Sequence, residues 1–374
     1  MKAPRTLCIA AGLALSLPAR AQYEKIHDHT GAPDGSYVSF GRLLPLGGLL
    51  YGTSFAGGAS DQGTIYTVSP GGDGYLLLRS FAGPDGANPW GGLTAVGGVL
   101  FGTASSGGKY GKGTLFRVLT LGSGFKVLKH FNGTNGYQPL GQLVFDGVQL
   151  YGTTGSGGAY GNGTVFCIRL DGSGFKVLKS FQSSQGQGVL GGPLLDRRTR
   201  MLYGTAAFGG KHGKGTIWRM RTDGTGFKVL HHFDGPNGAS GFGALIRSGS
   251  VLFGTTMFGG AGEGGTVFSV RTDGTGFQVL HHFDGATEGA GPASGPARVG
   301  TVLYGTLTSS AGGYPSGAIW KINTDGTGFQ IVHTLSGAEG TQPFAGLRLK
   351  DGILYGVTTS GGVHDKGVVY RFTP

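Results

Sequence analysis

Sulfur is scarce in this chain: two cysteines and four methionines occur in 374 residues. Cys8 lies in an apolar N-terminal stretch, which leaves Cys167 alone in the remainder. A single thiol forms no internal disulfide, and it rules out a Cys-x-x-Cys redox pair or a thiolate-rich metal centre. Long apolar runs are missing as well. No segment approaches the roughly 18 apolar residues that a membrane-spanning helix needs. Charge is sparse at 13% and acidic charge sparser, with 19 Asp and Glu against 30 Lys and Arg. Past the N-terminal stretch, no region carries the 3.6-residue apolar period of an amphipathic helix, so helical architectures are set aside.

Glycine is what the sequence has in excess, 81 residues, with 15 prolines beside it. Without a period, that bias would indicate disorder. Here the glycines recur in register, among short runs of Val, Ile, Leu, Phe and Tyr that a disordered chain lacks. The bias therefore belongs to turns.

Residues 1–21 read as a secretory signal peptide. Lys2 and Arg5 precede an apolar run at 7–17, and Ala19-Arg20-Ala21 is a small-x-small cleavage site. The mature chain is expected to start at Gln22 and to be secreted, periplasmic or extracellular, as a monomer without a membrane span. Without Lys2, Arg5 and Arg20 it keeps 27 basic residues against 19 acidic ones, a net charge of +8. Such a balance favours anionic partners without naming one.

An aromatic-Gly-Thr tripeptide begins at Tyr51, Phe101, Tyr151, Tyr203, Phe253 and Tyr304, and a Val variant begins at Tyr355; the spacings are 50, 50, 52, 50, 51 and 51. After each anchor the pattern is a Gly-Gly pair (107–108, 209–210, 361–362) and a Gly-Thr-Val-Phe-type run (113–116, 163–166, 265–268). A turn such as 223–226 then leads into a Phe-Lys-Val-Leu run (227–230). Each unit predicts four short strands, a to d, with the anchor on strand b. Tight Asp-Gly turns suit the hairpin between c and d. Four strands per unit of about 50 residues is the size of a propeller blade. The last unit stops after its strand c, while 23–29 aligns with the strand d at 125–131. Pairing the two ends completes seven units. The expected fold is all-β: one seven-bladed β-propeller over 22–374, closed by residues 22–31 pairing with the final blade, 337–374, which also hides a raw sheet edge.

These units resemble the GloVer tandem-repeat family of exported bacterial proteins, on the anchor, the Gly-Gly pair, the Gly-Thr-Val-Phe strand and the Asp-Gly-Thr-Gly-Phe-Lys-Val-Leu hairpin. The likeness covers 23–374. It implies no established reaction, cofactor or catalytic residue.

In an antiparallel blade the d-to-a and b-to-c loops open on one face and the tight a-to-b and c-to-d turns on the other. The loop face is the expected binding face. Every d-to-a loop has a polar residue before glycine: Asp34, Asp85, Asn135, Gln185, Asn237, Glu288 and Glu339. This is either a polar ring or turn chemistry. Beyond it lie Asn88, Tyr137, Gln138, Ser240 and Gln342, then Trp90, Phe242 and Phe344 at the start of strand a. Amides beside aromatics at a channel mouth suit a sugar or peptide. Lys109, Lys112, Lys211, Lys214 and Lys366, with His212 and His364, add cations in the b-to-c loops. The basic residues of strand d are read as guards of the outer blade edge. His27 and His29 share a strand face, but no third ligand is evident, so no metal or other cofactor is expected. Two Gly-x-Gly-x-x-Gly matches, at 186–191 and 260–265, open no helix and fall within chance at this glycine content. The leading expectation is a non-catalytic binding module for a glycan or another extracellular protein. The alternative is a hydrolase or lyase acting on an acidic polysaccharide, with Asp34, Asp85, Glu288 and Glu339 as the loop carboxylates. No nucleic-acid module is visible.

Overall fold

A computed structural model describes residues 22–38, 41–314 and 316–374; the leader reading for 1–21 lies outside these. Seven antiparallel sheets form the blades of a β-propeller. Blade 2 is typical, with strands a to d at Thr94–Val96, Val99–Ala104, Thr114–Leu119 and Lys126–His130. Blade 1 adds a short piece, Ser36–Val38, paired to its strand b. The closure is as expected. Gln22–Asp28 is strand d of blade 7, pairing antiparallel with Val368–Thr373, with Tyr23 opposite Phe372 and Lys25 opposite Tyr370.

Each residue of the aromatic-Gly-Thr anchor has its own reason. Its glycine sits opposite the aromatic of strand c: Gly102 pairs with Phe116 and Gly152 with Phe166. A Cβ on Gly102 would come within 2.6 Å of the Phe116 ring, and one on Gly152 within 2.5 Å of Phe166. The two motifs are therefore halves of one device, a glycine floor under an aromatic ring. The threonine reaches sideways. Thr153 donates to the Gly191 carbonyl at 3.0 Å and Thr255 to the Ser294 carbonyl at 2.8 Å, each on the next blade. In blade 7 this position is Val357, which joins an apolar cluster with blade 1 instead.

Among the described residues, no blade encloses a core of its own. The seven apolar clusters each span two neighbouring blades, so every core is an interface. The seam is one of them: Leu43, Leu50, Tyr66 and Val68 of blade 1 pack on Ala345, Tyr355 and Val369 of blade 7.

At one position strand d corrects the edge-guard reading, while Lys126, Lys176 and Lys228 are exposed on the outer strand as that reading expects. Four residues past the aromatic at the head of each strand d stands Arg79, Lys129, Lys179, His231, His281, His333 or His27, and each lies on the head aromatic of the next blade's strand d. The Arg79 guanidinium stands 4.2 Å from the Phe125 centroid, and Lys129 and Lys179 stand 4.2 and 4.4 Å from Phe175 and Phe227. His231 and His281 stack on Phe277 and Phe329 at 3.6 Å. His333 stacks on Tyr23 at 4.8 Å and His27 on Tyr75 at 4.1 Å, which carries the series through the seam. These residues are inter-blade clasps, each worth about 0.5–1 kcal/mol as a cation–π contact where charged.

If the seam is an ordinary interface, Tyr23→Ala and Phe125→Ala cost the same, about 3 kcal/mol in urea unfolding. A Tyr23→Ala cost near zero would mean that the N-terminal strand is dispensable for closure.

Candidate functional site

Backbone bridges place the d-to-a and b-to-c loops together on one face: Tyr137 bridges Ser156, Gln187 bridges Phe208, and Ala239 bridges Phe258. The polar ring resolves into turn chemistry. In all seven blades the side-chain oxygen accepts a hydrogen bond from a backbone N–H three or four residues earlier, at 2.9–3.3 Å, from Thr30 to Asp34 through Ser336 to Glu339. Several also hold the clasp residue of their own blade. Asp85 pairs with Arg79, Glu288 with His281 at 2.8 Å, and Glu339 with His333 at 3.2 Å.

The amides are turn residues as well. Asn88, Gln138, Ser240 and Gln342 all have left-handed backbones, with φ between 54° and 59°. Gln138 and Ser240 donate their backbone N–H to the carbonyls of Lys112 and Lys214 on the preceding blade. The Asn88 side chain bonds the Phe55 carbonyl and Ser106. The sequence reading offered them as ligand contacts; the structure adds that their recurrence also meets the demand of a left-handed turn.

The aromatics do converge. Trp90, Phe242 and Phe344 line a small funnel at the channel mouth with Leu140 and Leu190, which the sequence reading passed over as plain aliphatics. Trp90 meets the Phe55 ring edge-on at 5.7 Å. Around the funnel the loops display Tyr37, Tyr110, Tyr160, Phe208, Phe258 and Tyr314, each 46–68% exposed. Lys112 lies over the Tyr137 ring at 4.4 Å and Lys366 over Tyr37 at 5.9 Å. Lys109, Lys211, Lys214, His212 and His364 are exposed nearby on the same loops.

Below the funnel the innermost strands touch. A Cβ on Gly141 would come within 2.5 Å of the Gly192 nitrogen, and one on Gly92 within 2.7 Å of the Arg42 carbonyl. Arg42 lies in this neck and donates to the carbonyls of Gly295 and Pro296 on blade 6. Burial and the charge of Arg348 push its pKa down to about 10. Beyond the neck the channel widens toward the turn face into a cavity of about 690 Å³, bordered by Arg42, Arg197, Arg247 and Arg348. The larger hollow thus lies on the face that the sequence reading gave to tight turns only. Its lining side chains fall on strand a, whose short runs carry no loop signal.

One cluster lies at the seam. His27 Nε2 and His29 Nδ1 each stand 3.1 Å from an oxygen of Asp34, so the missing third group is present. The His27–Asp34 contact has counterparts in blades 5 and 6 and belongs to the repeat. His29 does not: it is fully buried where Phe81, Phe131 and Phe233 stand in other blades. Burial lowers its pKa, against a hydrogen bond to Asp34 that raises it. Burial would raise the Asp34 pKa, but hydrogen bonds from His27 and His29 hold it well below the usual carboxylate range. A neutral imidazole and an ionised carboxylate result, which is a latch chemistry that also suits a divalent cation.

A family model described as the Gloeobacter/Verrucomicrobia repeat matches residues 11–199, 146–315 and 197–374. No curated protein matches the chain. Among solved structures it is similar to an oligogalacturonate lyase in complex with manganese, at 12% identity and TM-score 0.58, over 95% of this chain and 96% of that one. It is similar to the oligogalacturonate lyase of Vibrio parahaemolyticus at 11% identity and TM-score 0.53, over 95% and 97%. A chain of a nidogen–laminin complex aligns at 13% identity and TM-score 0.49, over 79% and 96%. At such identities the likeness is one of fold.

Because the His29 pKa is lowered on folding, the unfolded chain binds the extra proton, and stability falls as pH drops through about 6.5. His231 and His232 shift the same way. His29→Phe is therefore expected to shrink, without abolishing, the loss of melting temperature between pH 7.5 and 5. Superimposable pH profiles for the two proteins would remove His29 from the latch.

Proposed function

The chain belongs to the Gloeobacter/Verrucomicrobia repeat family, and for this member we propose an exported, non-catalytic binding module whose loop face takes up a glycan. The observation that carries this reading is the set of exposed aromatic rings around the Trp90–Phe242–Phe344 funnel, with lysines interleaved. Aromatic faces offer apolar area at low conformational entropy, and sugar rings stack on them through their C–H faces. Lys109, Lys112, Lys211, Lys214 and Lys366 add attraction for acidic sugars and raise the rate of encounter. An extracellular protein partner is the nearest variant of the same reading, since exposed aromatics also anchor protein interfaces.

The enzymatic alternative, a hydrolase or lyase on an acidic polysaccharide, needs a carboxylate or imidazole free for proton transfer. Asp34, Asp85, Glu288 and Glu339 are each held by a turn N–H and a neighbouring cationic or imidazole side chain. That commitment favours binding over turnover. His212 and His364 are exposed and remain the groups to vary for the enzymatic reading.

A glycan array probed at low and at physiological salt tests the proposal. Binding is expected to persist at physiological salt, and Phe208→Ala with Phe258→Ala is expected to weaken it at least tenfold at unchanged melting temperature. Binding confined to low salt would reduce the face to lysine attraction screened over a Debye length. Turnover of pectin or alginate, lost in His212→Ala/His364→Ala, would replace the proposal with the enzymatic one.

A further inference from the structure

The widened half of the channel has a composition unlike that of the loop face. Arg42 stands where the other blades have Gly92, Gln142, Gly192, Ala244, Gly295 and Gly346. Arg348 stands where they have Leu44, Thr94, Val144, Leu194, Ile246 and Ala297. Arg247 and Arg298 take the next position on blades 5 and 6, which is Pro45, Ala95, Phe145, Leu195 and Leu349 elsewhere. Four departures from the repeat thus fall at one end of one channel, all of them to arginine.

They are also grouped. Arg247, Arg298 and Arg348 sit on blades 5, 6 and 7, and Arg42 reaches past Gly346 to blade 6. The facing wall, from blades 1 to 4, is Leu44, Ala95, Val144, Phe145, Leu194 and Leu195. Arg197 completes the rim and is held by the Phe145 carbonyl at 2.8 Å. Among the described residues, the carboxylate that pairs with this group is Asp196, 3.2 Å from Arg247. Neither Arg42, Arg298 nor Arg348 has an ion pair there. Arg42 and Arg348 are like charges side by side, both withdrawn from water enough to lower their pKa. Partly buried like charges are costly unless a counter-charge is supplied. Among the described residues one acid, Asp196, is paired within this group of four arginines, so the site would stabilise a negative charge brought from outside.

We propose that the turn-face half of the channel binds an amphiphilic oxyanion, a carboxylate or phosphate carried on an apolar body. The anionic head lies between Arg42 and Arg348, with Arg247 and Arg298 beside it, because a guanidinium matches the two oxygens of such a group. The apolar body lies on the leucine and phenylalanine wall of blades 1 to 4. A hollow of about 690 Å³ accommodates a small molecule of this kind. This site lies on the opposite face from the proposed glycan surface and does not depend on it.

Calorimetric titration of the protein with four probes below their micelle concentrations tests the site: octanoate, octyl phosphate, octyl glucoside and acetate. Octanoate, octyl phosphate or both are expected to bind at least tenfold more tightly than octyl glucoside, which has the same chain without the charge, and than acetate, which has the charge without the chain. The tighter of the two anions identifies the head group. Arg348→Leu, the residue that blade 1 carries there, is expected to weaken the preferred probe at least tenfold at unchanged melting temperature. Arg42→Gly, the residue of four other blades, is expected to do the same, and Arg348→Gln provides a polar check should the leucine variant misfold. Equal affinity for octyl glucoside, equal affinity for acetate, no binding by either amphiphilic anion, or full affinity in folded Arg348 variants would each overturn the site.

Discussion

Everything in this structure rests on packing between blades. A four-stranded sheet of some fifty residues, rich in glycine, has no interior. Its apolar side chains find burial only against the next sheet, and the seven clusters each take residues from two blades. Stability is therefore distributed round the ring as a set of nearest-neighbour terms. It also means that the ring has to close. With an open seam, Tyr66, Tyr355 and Val369 would face water, and two sheet edges would be left raw. Strand order at the termini follows from this: the chain begins with the strand that its last blade lacks, so the seam is stitched by backbone pairing as well as by side-chain contact.

Against that regular background, chemistry enters through exceptions. Strand d alternates between a clasp residue and a core residue, and the clasp is Arg or Lys on blades 1 to 3 but His on blades 4 to 7. The ring thus has one half clasped by Arg or Lys and another clasped by imidazole rings. His29, a histidine in a phenylalanine slot, places a buried imidazole with a lowered pKa at the closing seam. The same logic applies to the channel, where a glycine slot holds Arg42.

The architecture was legible in the sequence because it is repetitive. Seven appearances of one pattern fix the strands, the blade number and the closing role of 23–29, without any knowledge of contacts. The reasons for the pattern were less visible. That Gly102 exists to seat the Phe116 ring, or that Thr153 reaches the next blade, depends on register and on twist between sheets. The geometry of the candidate site was half legible. That Trp90, Phe242 and Phe344 meet at the channel mouth could be read, because aromatics at the head of strand a must approach the axis. That Asn88, Gln138, Ser240 and Gln342 occupy left-handed turns could not, since a left-handed turn and a binding rim leave the same polar signature. Lys129, Lys179, His231 and His281 were misjudged for a related reason: an edge guard and an inter-blade clasp are both basic residues on the outermost strand. Arg42, Arg247 and Arg348 were missed although aligning the seven copies column by column exposes them. Repeat reading rewards what recurs, and these residues matter because they do not.

The neck at Arg42 has a further consequence. Arg42 borders both the funnel and the wider cavity, and its guanidinium reaches from blade 1 to blade 6. The two hollows therefore share one fixed positive charge, so the field that an occupant of either one meets at its inner end is set by the same side chain.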